Sequence, residues 1–252
     1  LSRVLPGILL IIALFMVAIS PCLAADTGTK VSPYFPASVT TVQKGSGLEK
    51  PTPFQLTITK PKGIVPYQKK AFPKAVVAAI AYYTDHSGAS VINSYLRDPE
   101  VRKNTNASEK ERIEGLIKNM DYAEGKSRLV NQAVLFRGIG GAFADQIRAQ
   151  SRYTEPGYAS TSYDFSVTYR YANENQRDSE GYANILVLQR DGGDYALFVD
   201  ERERELIIPK GTTWNLVKEV KAEKVVLRAS FRPIYPEKTY TKVKFLYIKE
   251  SK

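Results

Sequence analysis

Two hydrophobic rhythms run along the chain, and they divide it. From Pro73 the apolar residues fall at helical spacing. The stretch PKAVVAAIAYY puts a proline at a first helical position with alanine-rich helix formers behind it. SGASVINSYLR, residues 87–97, predicts a second short helix. Ser108-Glu109-Lys110-Glu111 reads as a capping box opening a third, with Ile113, Leu116, Ile117 and Met120 at helical spacing. From Gln132 the pattern becomes that of strands. Residues 133–137, 158–162 and 183–188 predict strands, as do 204–209, 214–220, 225–231 and 243–248. Helices first and strands afterwards predict an α+β fold rather than alternating α/β.

The N-terminal part differs in character. Arg3 precedes the apolar stretch LPGILLIIALFMVAIS, and Cys22-Leu23-Ala24 follows. A short basic start, an apolar core and an A-x-A-like end predict a signal peptide over 1–25 and hence a secreted protein. An uncleaved anchor is the competing reading, although Pro6 and Pro21 bracket a run short for a membrane span. Residues 26–66 are rich in Thr, Ser, Lys and Pro, and their prolines break long helices. FQLTIT, residues 54–59, alternates like one strand, and the rest of 26–66 reads as an extended linker or arm. The folded domain is then expected over 67–252. Asn106-Ala107-Ser108 is a glycosylation sequon by pattern alone.

Composition narrows the chemistry. The 252 residues include one Cys and one His. Cleavage of the leader would remove Cys22, so disulfides and thiol catalysis are not expected. His86 alone reads as structural, and no metal is expected. Any catalysis therefore falls to carboxylates, hydroxyls and arginines. The formal charge of +10 is compatible with a nucleic-acid or anionic-membrane binder. The basic residues are scattered, however, and no nucleic-acid partner is expected.

Three places in the strand-rich half could carry chemistry. In VDERERELIIP, residues 199–209, an extended backbone would put Glu201, Glu203 and Glu205 on one face and Arg202 and Arg204 on the other. Like charges so close repel, so the segment is either a solvated edge or a set of carboxylates with a joint task. In Leu135-Phe136-Arg137-Gly138 an arginine ends an apolar strand, and Gly138 lets another group approach the backbone closely. That guanidinium could bind phosphate bidentately or simply reach solvent. In Gly157-Tyr158-Ala159-Ser160-Thr161-Ser162, Ser160 and Ser162 would face the same way, able to hydrogen-bond a carboxylate or a ribose.

Taken in order, an Arg at a strand end, Ser-Thr-Ser and Glu-x-Glu before a buried strand, the chain resembles the arginine-modifying mono-ADP-ribosyltransferase toxins. Enzymatic components of actin-modifying binary toxins such as iota toxin belong to that class. Tyr83-Thr84 followed by Val91-Ile92-Asn93-Ser94-Tyr95-Leu96-Arg97 is similar to the family's YTG and IN-x-YLR segment. The run from Glu203 to Gly211 is similar to its ExE strand. The resemblance extends from about residue 68 to the C-terminus. It implies N-terminal helices packed on a two-sheet β core, with an NAD cleft between the sheets. In that family the second Glu directly precedes the apolar triplet, which selects Glu203 and Glu205 and leaves Glu201 in a loop.

The resemblance also implies roles. Glu205 would stabilise the ribosyl cation, Ser160 would orient Glu205, and Glu203 would orient and deprotonate an acceptor arginine. Arg137 would hold the phosphates of NAD, which is a substrate, with Gly138, Ser160, Thr161 and Ser162 beside it. After the Ser-Thr-Ser stretch, Phe165, Tyr169 and Tyr171 compete to stack on nicotinamide, and Arg170 and Arg177 compete for a phosphate. Residues 191–200 would touch the target protein, with Tyr195 and Phe198 as aromatic candidates. A secreted, monomeric toxin acting on a host protein in a target cell is expected, with actin named by family alone. An NAD glycohydrolase, using water as acceptor, is the nearest rival. A glycoside hydrolase with paired carboxylates leaves the Arg and the Ser-Thr-Ser unexplained.

Overall fold

Helix α1 (Lys74–Thr84) begins where the sequence places it, with Pro73 at the cap position. The structure is a computed structural model that describes residues 53–251 except 59, 86, 175–176 and 230–236. The leader, Cys22 and His86 lie outside the described residues. Helix α2 (Gly88–Arg97) follows as predicted. Helix α3 (Pro99–Asn104) has no periodicity to announce it, yet its cap is explicit: Asp98 accepts from the amides of Glu100 and Val101, and Pro99 sits in the first turn. Helix α4 (Ala107–Gly125) opens two residues earlier than the expected capping box. Asn106, the sequon asparagine, is the cap and accepts from Glu109 N at 2.9 Å.

Two further helices interrupt the strands, α5 (Gly141–Gln150) and α6 (Phe165–Glu174). The strands are β1 (Phe54–Ile58), β2 (Ala133–Ile139), β3 (Arg152–Thr154), β4 (Ala159–Ser162) and β5 (Ala183–Arg190). They continue with β6 (Leu197–Asp200), β7 (Glu205–Ile208), β8 (Thr213–Ala229) and β9 (Lys238–Glu250). The predicted strands over 214–220 and 225–231 are one continuous strand, β8, as far as the described residues reach.

The path β1-β8-β9-β5-β2-β4-β7-β6, with β3 on β8, makes one nine-stranded sheet. The two-sheet core expected from the resemblance exists as two strand groups. They are hydrogen-bonded into one curled sheet through a single pair, Phe136 opposite Ser162. On one side β2 runs beside β5 over seven residue pairs. On the other side β4 pairs with β7, so that Ser160 faces Ile207 and Ser162 faces Glu205. Arg137 follows Phe136 directly, so the junction between the groups brings the three candidate stretches together.

Alternation along the strands sorts the core into three layers. Leu135, Leu186, Leu246 and Ile248 of the larger group pack with Ala159, Leu206 and Ile208 of the smaller one. On the far side of the larger group, Phe136, Ile185, Val187 and Phe245 pack with Phe165 and Ala172 of α6 and with Phe54, Leu56 and Ile58 of β1. On the far side of the smaller group, Tyr158, Leu197 and Ile207 pack with Val76, Ile80 and Tyr83 of α1 and with Met120 of α4. Each fully buried aliphatic or aromatic side chain contributes about 1.5–3 kcal/mol. Strand β1 belongs to the proline-rich 26–66 stretch, and its parallel pairing with β8 makes that part of the stretch a sheet edge. Among the described residues no helix is long and apolar enough to cross a membrane.

Candidate active site

The acidic stretch is not extended, contrary to what its alternating charges suggest. Residues 201–204 form a turn, and β7 starts at Glu205. Asp200 causes the turn: its Oδ1 accepts from Arg202 N at 2.5 Å and Glu203 N at 3.1 Å. Arg204 completes it in the left-handed region, φ +52°, at a cost of about 1–2 kcal/mol for a non-glycine residue. Two contacts hold it there. Arg204 Nη1 donates to the buried Asp164 at 2.9 Å, and Ser162 Oγ donates to the carbonyl of Glu203 at 2.7 Å. Glu201 and Glu203 therefore leave the strand face, and Glu205 alone enters the sheet.

Ile207, two residues after Glu205, packs on the helical side of β7. Glu205 shares that face. So does Ser160, two residues from the helix-facing Tyr158 and diagonal to Glu205 across β4 and β7. The Ser160 hydroxyl lies 3.5 Å from Tyr83 Oη of α1, which accepts from Asn93 of α2 at 3.1 Å. Burial pushes the Glu205 carboxyl up to about 7. The Ser160 hydroxyl opposes that rise, and the charges of Glu203 and Asp200 add to it. A carboxyl poised near neutrality among polar groups can serve catalysis.

Arg137 sits at the other end of the same network. Its Nη1 lies 3.5 Å from Oε2 of Glu155, which is wholly buried. Oε1 of Glu155 accepts from Arg97 Nε at 2.8 Å and from Gly157 N at 3.1 Å. Arg97 also donates to the carbonyl of Tyr158 at 3.2 Å, and Asn93 accepts from Tyr158 N at 2.8 Å. Polar contacts thus run from Arg137 through Glu155, Arg97, Tyr158, Asn93 and Tyr83 to Ser160 and Glu205. Burial lowers the pKa of the Arg137 guanidinium and Glu155 opposes that. Arginine remains charged regardless.

Other expected site residues are placed differently. The space over Gly138 is filled by α6: a Cβ there would lie 2.2 Å from Thr168 O and 2.6 Å from Ala172 N. The close approach that this glycine permits is made by a helix, not left open for a ligand. Phe165 is fully buried against Phe136, Tyr240 and Phe245, so it has no free face to offer. Tyr169 packs on Phe165 and Tyr240, and its hydroxyl donates to Thr241 O and accepts from Arg177. Thr161 uses its hydroxyl to bond Leu206 O at 2.7 Å, stapling β4 to β7. Ser162 holds the acidic turn. Within Ser-Thr-Ser, Ser160 is the residue whose hydroxyl acts on the Glu205 carboxylate.

The outward carboxylate, Glu203, is held from α6. Arg170 donates to it at 2.7 Å, and the hydroxyl of the exposed Tyr171 donates to it at 3.0 Å. Of the three aromatic candidates, Tyr171 is therefore the one at the acidic turn. In the preceding loop, Tyr195 is exposed under the guanidinium of Arg128, 3.8 Å from the ring centroid, whereas Phe198 is core. An open depression of about 760 Å³ borders the turn, lined by Tyr67, Tyr82, Asp85, Val199 and Glu201 among others. Arg137, Ser160 and Glu205 do not line it.

Comparison with known proteins decides what this arrangement belongs to. The sequence profile of the ADP-ribosyltransferase exoenzymes matches residues 66–244. The chain belongs to the ADP-ribosyltransferase exoenzyme family. Transfer of ADP-ribose from NAD is that family's activity. The fold agrees with those of solved ADP-ribosyltransferase toxins. An ADP-ribosyltransferase of Clostridium botulinum superposes with a TM-score of 0.51 at 18% identity, over 73% of this chain and 90% of that one. The Clostridium limosum C3 exoenzyme gives 0.51 at 16% identity, over 73% and 88%. An ADP-ribosyltransferase toxin from Paenibacillus larvae gives 0.50 at 16%, over 73% and 89%. No curated protein sequence matches the chain.

Within this exoenzyme fold, two groups escape a reading of the sequence. Glu155 is a buried carboxylate between two arginines, and Tyr83 links α1 to Ser160. Tyr83 falls inside the YTG-like motif but has no role attached there. Glu155 carries a weak signal: a charged residue ahead of Pro-Gly, where a tight turn is to be expected.

Proposed function

We propose that the chain is a secreted NAD–protein-arginine ADP-ribosyltransferase of the Arg / Ser-Thr-Ser / Glu-x-Glu class, releasing nicotinamide. Its boundaries are a leader over 1–25, an arm over 26–66 whose strand β1 joins the catalytic sheet, and the catalytic domain over 67–252. It acts as a monomer in a target cell, on a host protein with an acceptor arginine; actin is the acceptor by resemblance alone.

The nicotinamide of NAD is cationic while attached and departs neutral, so no general acid is needed. That suits a protein with one histidine. Cleavage of the glycosidic bond builds positive charge on the ribose, as in other oxocarbenium-like reactions. Glu205 stabilises that charge as it develops. Ser160 fixes the orientation of Glu205 and favours its ionised form, and a nearby cationic nicotinamide favours it further. Arg137 holds the phosphates. An acceptor guanidinium is protonated and a poor nucleophile; as its nitrogen bonds the ribose carbon, Glu203 takes the proton.

The observation that carries this reading is the division of the two carboxylates. One lies partly buried on the first residue of β7, on the face it shares with Ser160, and the other sits on the preceding turn and already accepts a guanidinium, that of Arg170. A second reading, NAD glycohydrolase, draws on the same contact. Arg170 and Tyr171 occupy Glu203, so an arginine acceptor must displace them, whereas water need not. The test is mass spectrometry of a host-cell lysate incubated with the protein and tagged NAD. Label on arginine side chains supports the transferase; label on another residue type, or on none, overturns the arginine reading.

A further inference from the structure

Arg97 and Glu155 have no part in the chemistry above, yet they enclose Arg137. The three charges form a cluster of two cations and one anion. Glu155 is wholly buried, and its backbone is pinned on both sides: its amide donates to Thr212 O at 2.9 Å, and its carbonyl accepts from Gly211 N at 2.7 Å. Its Oε1 is committed to Arg97 and to Gly157 N. Its Oε2 has a single charged neighbour, Arg137 Nη1 at 3.5 Å, too far for a well-formed hydrogen bond. Both atoms are buried without another hydrogen-bond partner. Gly157 keeps the cluster tight, since a Cβ there would lie 2.5 Å from Asn93 Oδ1 and 3.1 Å from Arg97 Nε.

A buried guanidinium nitrogen with one loose partner has donor capacity to spare, and the cluster has one positive charge in excess. Both features call for an anion. We propose that Glu155 is a positioning residue that aims the Arg137 guanidinium at the phosphates of NAD, and that Arg97 completes the cluster as a second cation beside it. This rests on the reading of Arg137 as the phosphate holder. Glu155 never touches the dinucleotide. It sets the angle and separation of two guanidiniums that would otherwise repel each other, and the fixed geometry favours a diphosphate over a diffuse anion.

The test is NAD binding and steady-state NAD turnover in the full chain and its variants, with melting curves alongside. Glu155→Gln is expected to raise the Kd and KM for NAD at least tenfold while kcat stays within threefold. A purely structural role would lower the melting temperature and leave the KM of the folded fraction unchanged, and that result overturns the proposal. Because Glu155→Gln leaves two arginines facing each other and could fail to fold, the double variant Arg97→Met with Glu155→Gln is the second arm. It restores the original net charge of the cluster. If its KM exceeds that of Arg97→Met alone, Glu155 positions Arg137. If its KM equals that of Arg97→Met alone, Glu155 merely neutralised Arg97 and the proposal falls. Arg137→Met separates the levels. Unchanged NAD affinity in that variant overturns the phosphate-holding reading itself, whereas lost affinity there with wild-type affinity in Glu155→Gln overturns the positioning role alone.

Discussion

Ser160 and Glu205 are diagonal neighbours across β4 and β7, and the serine hydroxyl acts on a carboxylate that burial has raised to about 7. The hydroxyl favours the charged form, while burial favours the neutral one. Removing the hydroxyl leaves burial unopposed. Ser160→Ala is therefore expected to move the acid limb of the kcat/KM profile upward by about half to one pH unit. An unchanged limb would mean that Glu205 is not the group titrating in catalysis.

Glu205 also makes stability depend on pH, and the sign follows from its shift. The folded carboxyl holds its proton up to about pH 7, whereas the ordinary value is 4.5. Between those values the folded state binds more protons than the unfolded one, so this contribution falls as pH rises across that window. Glu205→Gln removes the penalty. Above pH 7 it is expected to stabilise the protein by up to about 3 kcal/mol while abolishing NAD cleavage. Denaturant unfolding of both proteins at pH 5 and pH 8 checks it: the difference in stability should be small at pH 5 and large at pH 8.

Gly138 distinguishes a packing role from a ligand-binding one. The backbone of α6 lies where an alanine methyl would go, 2.2 Å from Thr168 O. Main-chain atoms in a packed helix yield little, so Gly138→Ala is expected to cost about 3 kcal/mol of stability. Lowered NAD affinity with an unchanged melting temperature would instead return this glycine to the ligand site.

The outward carboxylate should divide transfer from hydrolysis. Glu203→Gln keeps the Ser162 bond to the Glu203 carbonyl, and hence the turn. It loses the negative charge that an acceptor guanidinium needs. Transfer to a guanidino acceptor is expected to fall about a hundredfold, with nicotinamide release from NAD alone largely retained. Equal losses in both reactions would assign Glu203 to the donor side.

The parts of this protein that are legible in its sequence are local. Helix α1 and strands β2, β5 and β9 follow from periodicity over their own length. Glu203 and Glu205 stand out because they sit together before Leu206-Ile207-Ile208. The turn at 201–204 is hidden because alternating charge imitates a strand. The deciding residue is Asp200, just upstream, whose short side chain captures two amides. Phe165 looks available because it follows Ser-Thr-Ser, but helix α6, which the periodicity does not reveal, turns it into the core. Glu155 is out of reach for a different reason. Its partner Arg97 is 58 residues away, and the docking of α2 on the loop between β3 and β4 brings them together.

The central claim, that the two carboxylates serve one transfer to arginine, is tested most directly with agmatine, a small guanidine, and labelled NAD. The account predicts ADP-ribosyl-agmatine in step with nicotinamide release in the wild-type protein, and its loss in Glu203→Gln. Nicotinamide accompanied only by free ADP-ribose, at every agmatine concentration, would contradict it.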